Sequence, residues 1–293
     1  ITATENSSRQ LFLSLSNNAG TSWTTLPFPD TLSGVDLRDP WLTVRAQDFT
    51  DDGWADIIAG SRHKFGKNDT IGDDDLAELV LLVNPANGSD VDNLEKWKAL
   101  PLAKVGWTME IKRRDIDKDG DTDIIVADRR NPVRGGALFW LENPGPKNIE
   151  QVPWKEHEIS ERNFSVLFFE AADVDGDSCM DIVAGDESGS VTAFMRDKAS
   201  CAPHQEPIWN MVQIAFDPSI SLSNPTKAIG IGDMNNDGRD DLVISLEREN
   251  CGEGIVPAGI FWLEQPTEGV RGTWNGHIIA ESAGNKYDKV ELR

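Results

Sequence analysis

Asp115-Ile116-Asp117-Lys118-Asp119-Gly120-Asp121-Thr122-Asp123-Ile124 puts carboxylates at positions 1, 3, 5 and 9 of a run with glycine at position 6. Alternating acids on a tight turn bring several hard oxygens to one point, the donor set that calcium takes. The chain repeats the pattern as Asp48-Phe49-Thr50-Asp51-Asp52-Gly53 to Asp56, as Asp173-Val174-Asp175-Gly176-Asp177-Ser178 to Asp181, and as Asp233-Met234-Asn235-Asn236-Asp237-Gly238 to Asp241. An EF-hand loop would need Glu at position 12 and flanking helices. Here apolar, β-branched residues follow the ninth position at once and read as a strand. One acidic turn is an ordinary solvated loop, whereas four in one phase read as metal sites. The expected ligands are Asp48, Thr50, Asp52 and Asp56; Asp115, Asp117, Asp119 and Asp123; Asp173, Asp175, Asp177 and Asp181; and Asp233, Asn235, Asp237 and Asp241, for up to four Ca2+ ions. Thr50 is a poorer ligand than a carboxylate, and Ser178 replaces the turn glycine while Gly176 stands two places early. The first and third sites are therefore expected to be the weaker.

Around each loop the chain keeps one grammar with a period of about 60 residues. A strand follows the loop, then a variable segment, then a third strand such as Leu138-Phe139-Trp140-Leu141, then a closing Glu142-Asn143-Pro144 or Gln265-Pro266. A tryptophan (Trp23, Trp97, Trp154, Trp209 or Trp274) opens the fourth strand. Four strands per period is a propeller blade, so the fold class is all-β and residues 1–293 read as a single β-propeller domain bounded blade by blade near those tryptophans. Tyr287 to Leu292 reads as a first strand, and Ile1 to Thr4 as the second strand that follows one. Leu11–Leu15 and Trp23–Leu26 then read as strands three and four. The termini would share one blade and remove an exposed sheet edge, which favours five blades; a fragment of a seven-bladed propeller is the alternative.

Acids outnumber bases 50 to 28, and a net charge of −22 argues against nucleic acid or an anionic membrane as partner. No apolar run nears the roughly 18 residues that cross a bilayer, so no membrane insertion is expected. The chain opens on Ile1 without a leader and reads as a mature or trimmed product. Calcium loops suit millimolar extracellular calcium, which points to an extracellular or periplasmic location. Asn6, Asn68, Asn87 and Asn163 head glycosylation sequons that would matter if the source is eukaryotic.

The repeated loop, joined to Phe139-Trp140-Leu141-Glu142-Asn143-Pro144 and Trp154-Lys155-Glu156-His157 and echoed in Trp274-Asn275-Gly276-His277, resembles the FG-GAP or VCBS-type calcium-loop propellers over nearly the whole chain. That resemblance implies a propeller with structural calcium. It implies no single function, because such families include adhesion subunits such as integrin α chains, lectins, and carbohydrate-active lyases or dehydratases.

Blade topology puts the calcium loops and the three-to-four connections on one face. Cys179 and Cys201 then fall together and are expected to bridge, while Cys251 points away. The other face should carry the residues six past each loop's last acid, Arg62, Arg129, Glu187 and Glu247, with Glu5 as their counterpart near the start. Trp41, Trp107, Asn224, Lys227 and Tyr287 from the blade-to-blade connections, and His63 and Lys64 from an insertion, join them. These could be solvated strand ends that satisfy one another, or a polar pocket in which Arg129 clamps an acid group. His157 and His277 stand where other blades have Leu26, Leu100 and Val212, and read as packing residues. No nucleophile elbow, zinc pair, phosphate loop or nucleotide fingerprint occurs. The leading reading is a binding protein for a carbohydrate or other polar ligand, with Arg62, Arg129, Glu187, Glu247, Trp107 and Lys227 in contact. The second is a lyase or dehydratase on acidic sugars, with His63 or Tyr287 as base and Arg129 or Arg62 neutralising the substrate carboxylate. The third is a structural or adhesion module with a protein partner.

Overall fold

A computed structural model describes residues 2–3, 10–16, 20–62, 72, 75–217, 225–246 and 258–282. Glu5, His63, Lys64, Asn224, Glu247, Cys251 and Tyr287, like the expected terminal strand up to Leu292, lie outside the described residues. The backbone divides into two compact units, residues 1–115 with 120–163, and residues 116–119 with 164–293. Among the described residues the regular structure is strands and two single 3-10 turns, and no helix is long and apolar enough to cross a membrane.

In the first unit, β1 (Thr2–Ala3), β2 (Leu11–Ser16) and β3 (Trp23–Pro27) pair in sequence order, and a small hairpin, β4 (Thr31–Leu32) and β5 (Val35–Asp36), follows. Two four-stranded antiparallel meanders come next: β6 (Trp41–Gln47), β7 (Asp56–Ser61), β8 (Ala77–Val83) and β9 (Lys98–Val105); then β10 (Thr108–Arg114), β11 (Asp123–Asp128), β12 (Ala137–Glu142) and β13 (Lys155–Glu158). The second unit holds β14 (Val166–Ala172), β15 (Asp181–Asp186), β16 (Val191–Arg196) and β17 (Trp209–Gln213) as one meander. It also holds β18 (Ala215–Phe216), β19 (Thr226–Gly232), β20 (Asp241–Leu246), β21 (Ala258–Glu264) and β22 (Thr273–Ser282), with β18 added parallel to β22. The chain is thus all-β, in repeated four-stranded sheets. Each acidic loop joins strand one of its sheet to strand two.

Three of the four second strands are buried throughout. β7, β11 and β20 are buried at every residue, which is why they read as continuous apolar runs rather than alternating ones. Each first strand carries an irregularity at the same place, between Trp41 and Thr43, Thr108 and Glu110, Val166 and Phe168, and Thr226 and Ala228. Such bulges twist the strand as it leaves the sheet end. Within each unit successive sheets approach closely: a Cβ on Gly60 would sit 2.4 Å from Thr108 Cγ2, and one on Gly185 2.4 Å from Thr226 Cγ2. The core between sheets mixes both partners, as where Phe49, Ile58 and Leu79 join Ile124, Val126 and Phe139. Each such side chain contributes about 1.5–3 kcal/mol on burial.

The tryptophans divide. Trp97, Trp154 and Trp274 are buried, and their indole N–H groups donate to the carbonyls of Val91 (3.1 Å), Ile149 (3.3 Å) and Val270 (3.1 Å). Trp23 is 64% exposed and the Trp209 indole nitrogen has no partner.

Candidate metal loops and ligand site

The four acidic loops share one wiring. The first-position carboxylate accepts the backbone N–H of positions 5 and 6: Asp48 from Asp52 (3.2 Å) and Gly53 (2.7 Å), Asp173 from Asp177 (2.9 Å) and Ser178 (2.9 Å), Asp233 from Asp237 (3.0 Å) and Gly238 (2.9 Å). In the second loop Asp115 accepts from Gly120 (3.2 Å). The backbone is left-handed at two places in every copy. Position 4 is Asp51, Lys118, Gly176 or Asn236, and position 6 is Gly53, Gly120, Ser178 or Gly238, all with φ between 56° and 101°. The early glycine of the third loop is therefore no shift of register. It relieves position 4, while Ser178 takes the left-handed conformation that glycine takes elsewhere.

The ninth-position acids, Asp56, Asp123, Asp181 and Asp241, are buried. One oxygen of each accepts the N–H of the residue leaving strand three, Asn84, Asn143, Arg196 or Gln265, at 2.9 Å. In three copies the other oxygen accepts the N–H of loop position 2: Phe49 (2.9 Å), Val174 (3.0 Å) and Met234 (3.1 Å). The exit residue then reaches further. Asn143 Nδ2 donates to Phe49 O (3.4 Å) and Gln265 Nε2 to Val174 O (3.0 Å), each the position-2 carbonyl of the preceding loop. Within the second unit Arg196 Nη1 does the same to Ile116 O. The sequence marks two of these exit residues, in Asn143-Pro144 and Gln265-Pro266, but not the carbonyl each one reaches.

Oxygen-only donors on these loops suit a hard cation. Carboxylate oxygens of Asp115, Asp117 and Asp123 lie within 4.8 Å of one another, as do those of Asp173, Asp175 and Asp177. The third loop, expected to be weaker, is thus as convergent as the second. In the fourth, Asp237 is paired with Arg239 and accepts from Asn235 Nδ2 (3.0 Å), which also donates to Glu264 (3.1 Å). In the first, the Thr50 hydroxyl points at Asp48 and Asp56 (3.4 Å each). Burial foremost pushes Asp56 up to about 6 and Asp181 up to about 7, and neighbouring loop carboxylates add to it. Burial and then Asp177 raise Asp175.

Cys179, at position 7 of the third loop, is bonded to Cys201, as the topology predicted. The connection bearing Cys201 also sends Lys198 Nζ to Asp177 O (2.9 Å), so loop and connection are held by covalent and polar links together.

The far ends of the second strands are built differently. Arg62, Arg129 and Glu187 occupy equivalent places, each donating its N–H to the residue before strand one: Pro40 (3.2 Å), Trp107 (2.8 Å) and Ser165 (3.3 Å). Arg62 and Arg129 both lie against Trp107, with their guanidinium carbons each 5.3 Å from its ring centroid. Arg130, which sequence reasoning passed over, joins at 5.6 Å. Beneath them the buried Asp128 accepts from Gly106 N (2.8 Å), Trp107 N (2.9 Å) and Asn131 Nδ2 (2.9 Å), and burial raises its carboxyl. Glu187 and Lys227 belong to the second unit, Lys227 at the bulge of β19.

His157 stacks on Trp140 (4.0 Å, 12°) and its Nε2 meets Glu142 (2.7 Å). His277 repeats this on Trp262 (4.2 Å, 21°) and Glu264 (3.1 Å). Both sit on fourth strands, β13 and β22, in the packing role expected of them.

A search of solved structures finds similarity to the biofilm matrix protein Bap1 of V. cholerae (15% identity, TM-score 0.43, 91% of this chain and 32% of that one). It also finds the NanB sialidase from Streptococcus pneumoniae (11%, 0.40, 87% and 54%). Among curated proteins the chain is 32% identical over 75 residues to aldos-2-ulose dehydratase of Phanerodontia chrysosporium, which takes in 24% of this chain and only 8% of that enzyme. A family model described as FG-GAP-like repeat matches residues 115–184, from the first acid of the second loop into β15. That stretch takes in the second and third acidic loops.

Proposed function

We propose that this chain is a calcium-stabilised β-propeller of the extracellular or periplasmic space, and that the sheet ends away from the calcium loops bind a carbohydrate or other polar ligand. The observation that carries the reading is the contrast along β7 and β11: acids at one end of each strand, guanidinium groups around an indole at the other. Calcium would sit on the sixteen loop residues named above, where it neutralises carboxylates that burial otherwise disfavours. The Cys179–Cys201 bridge supports an oxidising compartment. Arg62, Arg129 and Trp107 would contact the ligand; of the other candidates, Glu187 and Lys227 belong to the second unit and Glu247 lies outside the described residues. A glycan array probed with calcium-loaded protein tests this. Signals should disappear in Arg129→Ala and Trp107→Ala variants that still fold; signals that survive both substitutions overturn the assignment.

The 75-residue similarity to a dehydratase favours one other reading, a lyase or dehydratase acting on acidic sugars. Arg129 or Arg62 would then neutralise the substrate carboxylate, with His63 or Tyr287 as base. Incubation with a panel of uronate polysaccharides should release ultraviolet-absorbing unsaturated product, and a blank across the panel removes this reading.

A further inference from the structure

We infer that the connection from Arg196 to Gln205 is a strap shared by the second and third acidic loops, so that filling either loop with calcium raises the affinity of the other. This deepens the metal reading above and rests on it.

The connections that leave β12 and β21 reach the preceding loop through the side chain of their exit residue, Asn143 or Gln265. The one that leaves β16 holds it at three successive residues. Arg196 Nη1 donates to Ile116 O, His204 N donates to Asp117 O (2.6 Å), and Lys118 Nζ stands 3.2 Å from Cys201 Sγ. Residues 116–119 accordingly belong to the second unit, apart from the rest of their own loop. The same connection is fastened to the third loop at three further points. Arg196 N donates to Asp181 (2.9 Å), Lys198 Nζ donates to Asp177 O (2.9 Å), and Cys201 is bonded to Cys179.

Between those two sets of ties the strap is stiff. Arg196 Nη2 donates to Ser200 O (2.7 Å), Asp197 accepts from Ala199 N (2.8 Å), and Ser200 Oγ donates to Asp197 O (2.8 Å). Arg196, Ser200 and Cys201 are buried. His204 takes a left-handed backbone, φ 58°, which costs a side-chain-bearing residue and persists where its surroundings hold it. Each set of ties includes an expected ligand. Asp117 is gripped by its carbonyl in the second loop and Asp177 by its carbonyl in the third, so the aim of each carboxylate depends on where the strap lies. With the third loop filled, Asp177 and the stretch up to Asp181 are fixed, and the bridge at Cys179 passes that order to the strap and so to Asp117. The second loop then binds with part of its ordering already done. By linkage the third loop gains the same factor from the second.

Calcium titration calorimetry of the full chain tests this. The step that belongs to the second loop is the one that Asp117→Asn removes. Disabling the third loop with Asp175→Asn should weaken that step about tenfold, as is usual for coupled sites. In the Cys179→Ser, Cys201→Ser double variant the second loop should be weak from the outset, although neither cysteine belongs to it, and adding Asp175→Asn should weaken it no further. Arg196→Met should behave in the same way, which keeps the test alive if the double variant fails to fold. Arg196→Gln, with the side chain that lets Gln265 reach Val174 O, should restore the coupling. A second-loop step that is equal in the wild type and in Asp175→Asn overturns the strap while leaving calcium in the loops. A step that Asp175→Asn weakens to the same degree with or without the bridge and Arg196 also overturns it, because the coupling then runs elsewhere. No calcium uptake by the wild type overturns the strap and the metal reading together.

Discussion

The two ends of β11 follow opposite rules. At Asp123 the chain enters an arrangement that recurs in four sheets: a buried ninth acid, an exit residue bonded to it, a first acid that gathers its loop. At Asp128 it enters one that occurs once among the described residues, with Gly106, Trp107 and Asn131 bonded to a different buried carboxylate. The recurring end holds sheets in register; the singular end distinguishes one sheet from its neighbours. A change at the first should be read in stability, and a change at the second in recognition.

Removing calcium should produce the largest effect. Each filled loop adds about 2.7 kcal/mol when free calcium exceeds its dissociation constant a hundredfold, so chelation should lower the melting temperature steeply. pH sharpens this. Asp56 and Asp181 hold their protons to about 6 and about 7 in the fold, well above the ordinary carboxylate value. The metal-free fold therefore binds protons more tightly than the unfolded chain, and its stability should fall as pH rises from about 4 to about 7. With calcium present the trend should reverse, since protons and metal compete for the same oxygens. Melting curves over that range, with and without chelator, check both signs; parallel curves would sink the metal assignment.

Asp181→Ala leaves the Val174 and Arg196 N–H groups without their acceptor. At about 1–3 kcal/mol for each buried group, urea unfolding should show a loss of about 2–6 kcal/mol. The Cys179→Ser, Cys201→Ser double variant opens a link spanning 22 residues and should cost about 3 kcal/mol. Gln265→Ala frees the Val174 carbonyl of the preceding loop and should cost about 1–3 kcal/mol. It should also weaken calcium at the third loop, whose own acids are untouched. Arg130→Gln belongs to the other end and should change stability by no more than about 0.5 kcal/mol.

Repetition decides what could be read from residues alone. The loops, the four-stranded order and the buried second strands were legible because each was written several times in one phase, so a departure such as Ser178 stood out. The bridge between Cys179 and Cys201 followed from topology. What escaped was side-chain reach. Asn143, Arg196 and Gln265 do one job with different lengths and charges, so no shared residue type advertised it. Arg130 escaped because its place depends on a left-handed backbone and on Gly106, neither of which leaves a periodic trace.

The position-2 peptide is gripped from two sides in the loops of Phe49 and Val174, its N–H by the loop's own ninth acid and its carbonyl by the following sheet. None of those grips uses an oxygen from positions 3 or 5. A copy of the repeat can therefore vary at position 3, as Thr50 and Asn235 do, and still act as a spacer between its neighbours. A string of such units could shed ions one at a time without coming apart.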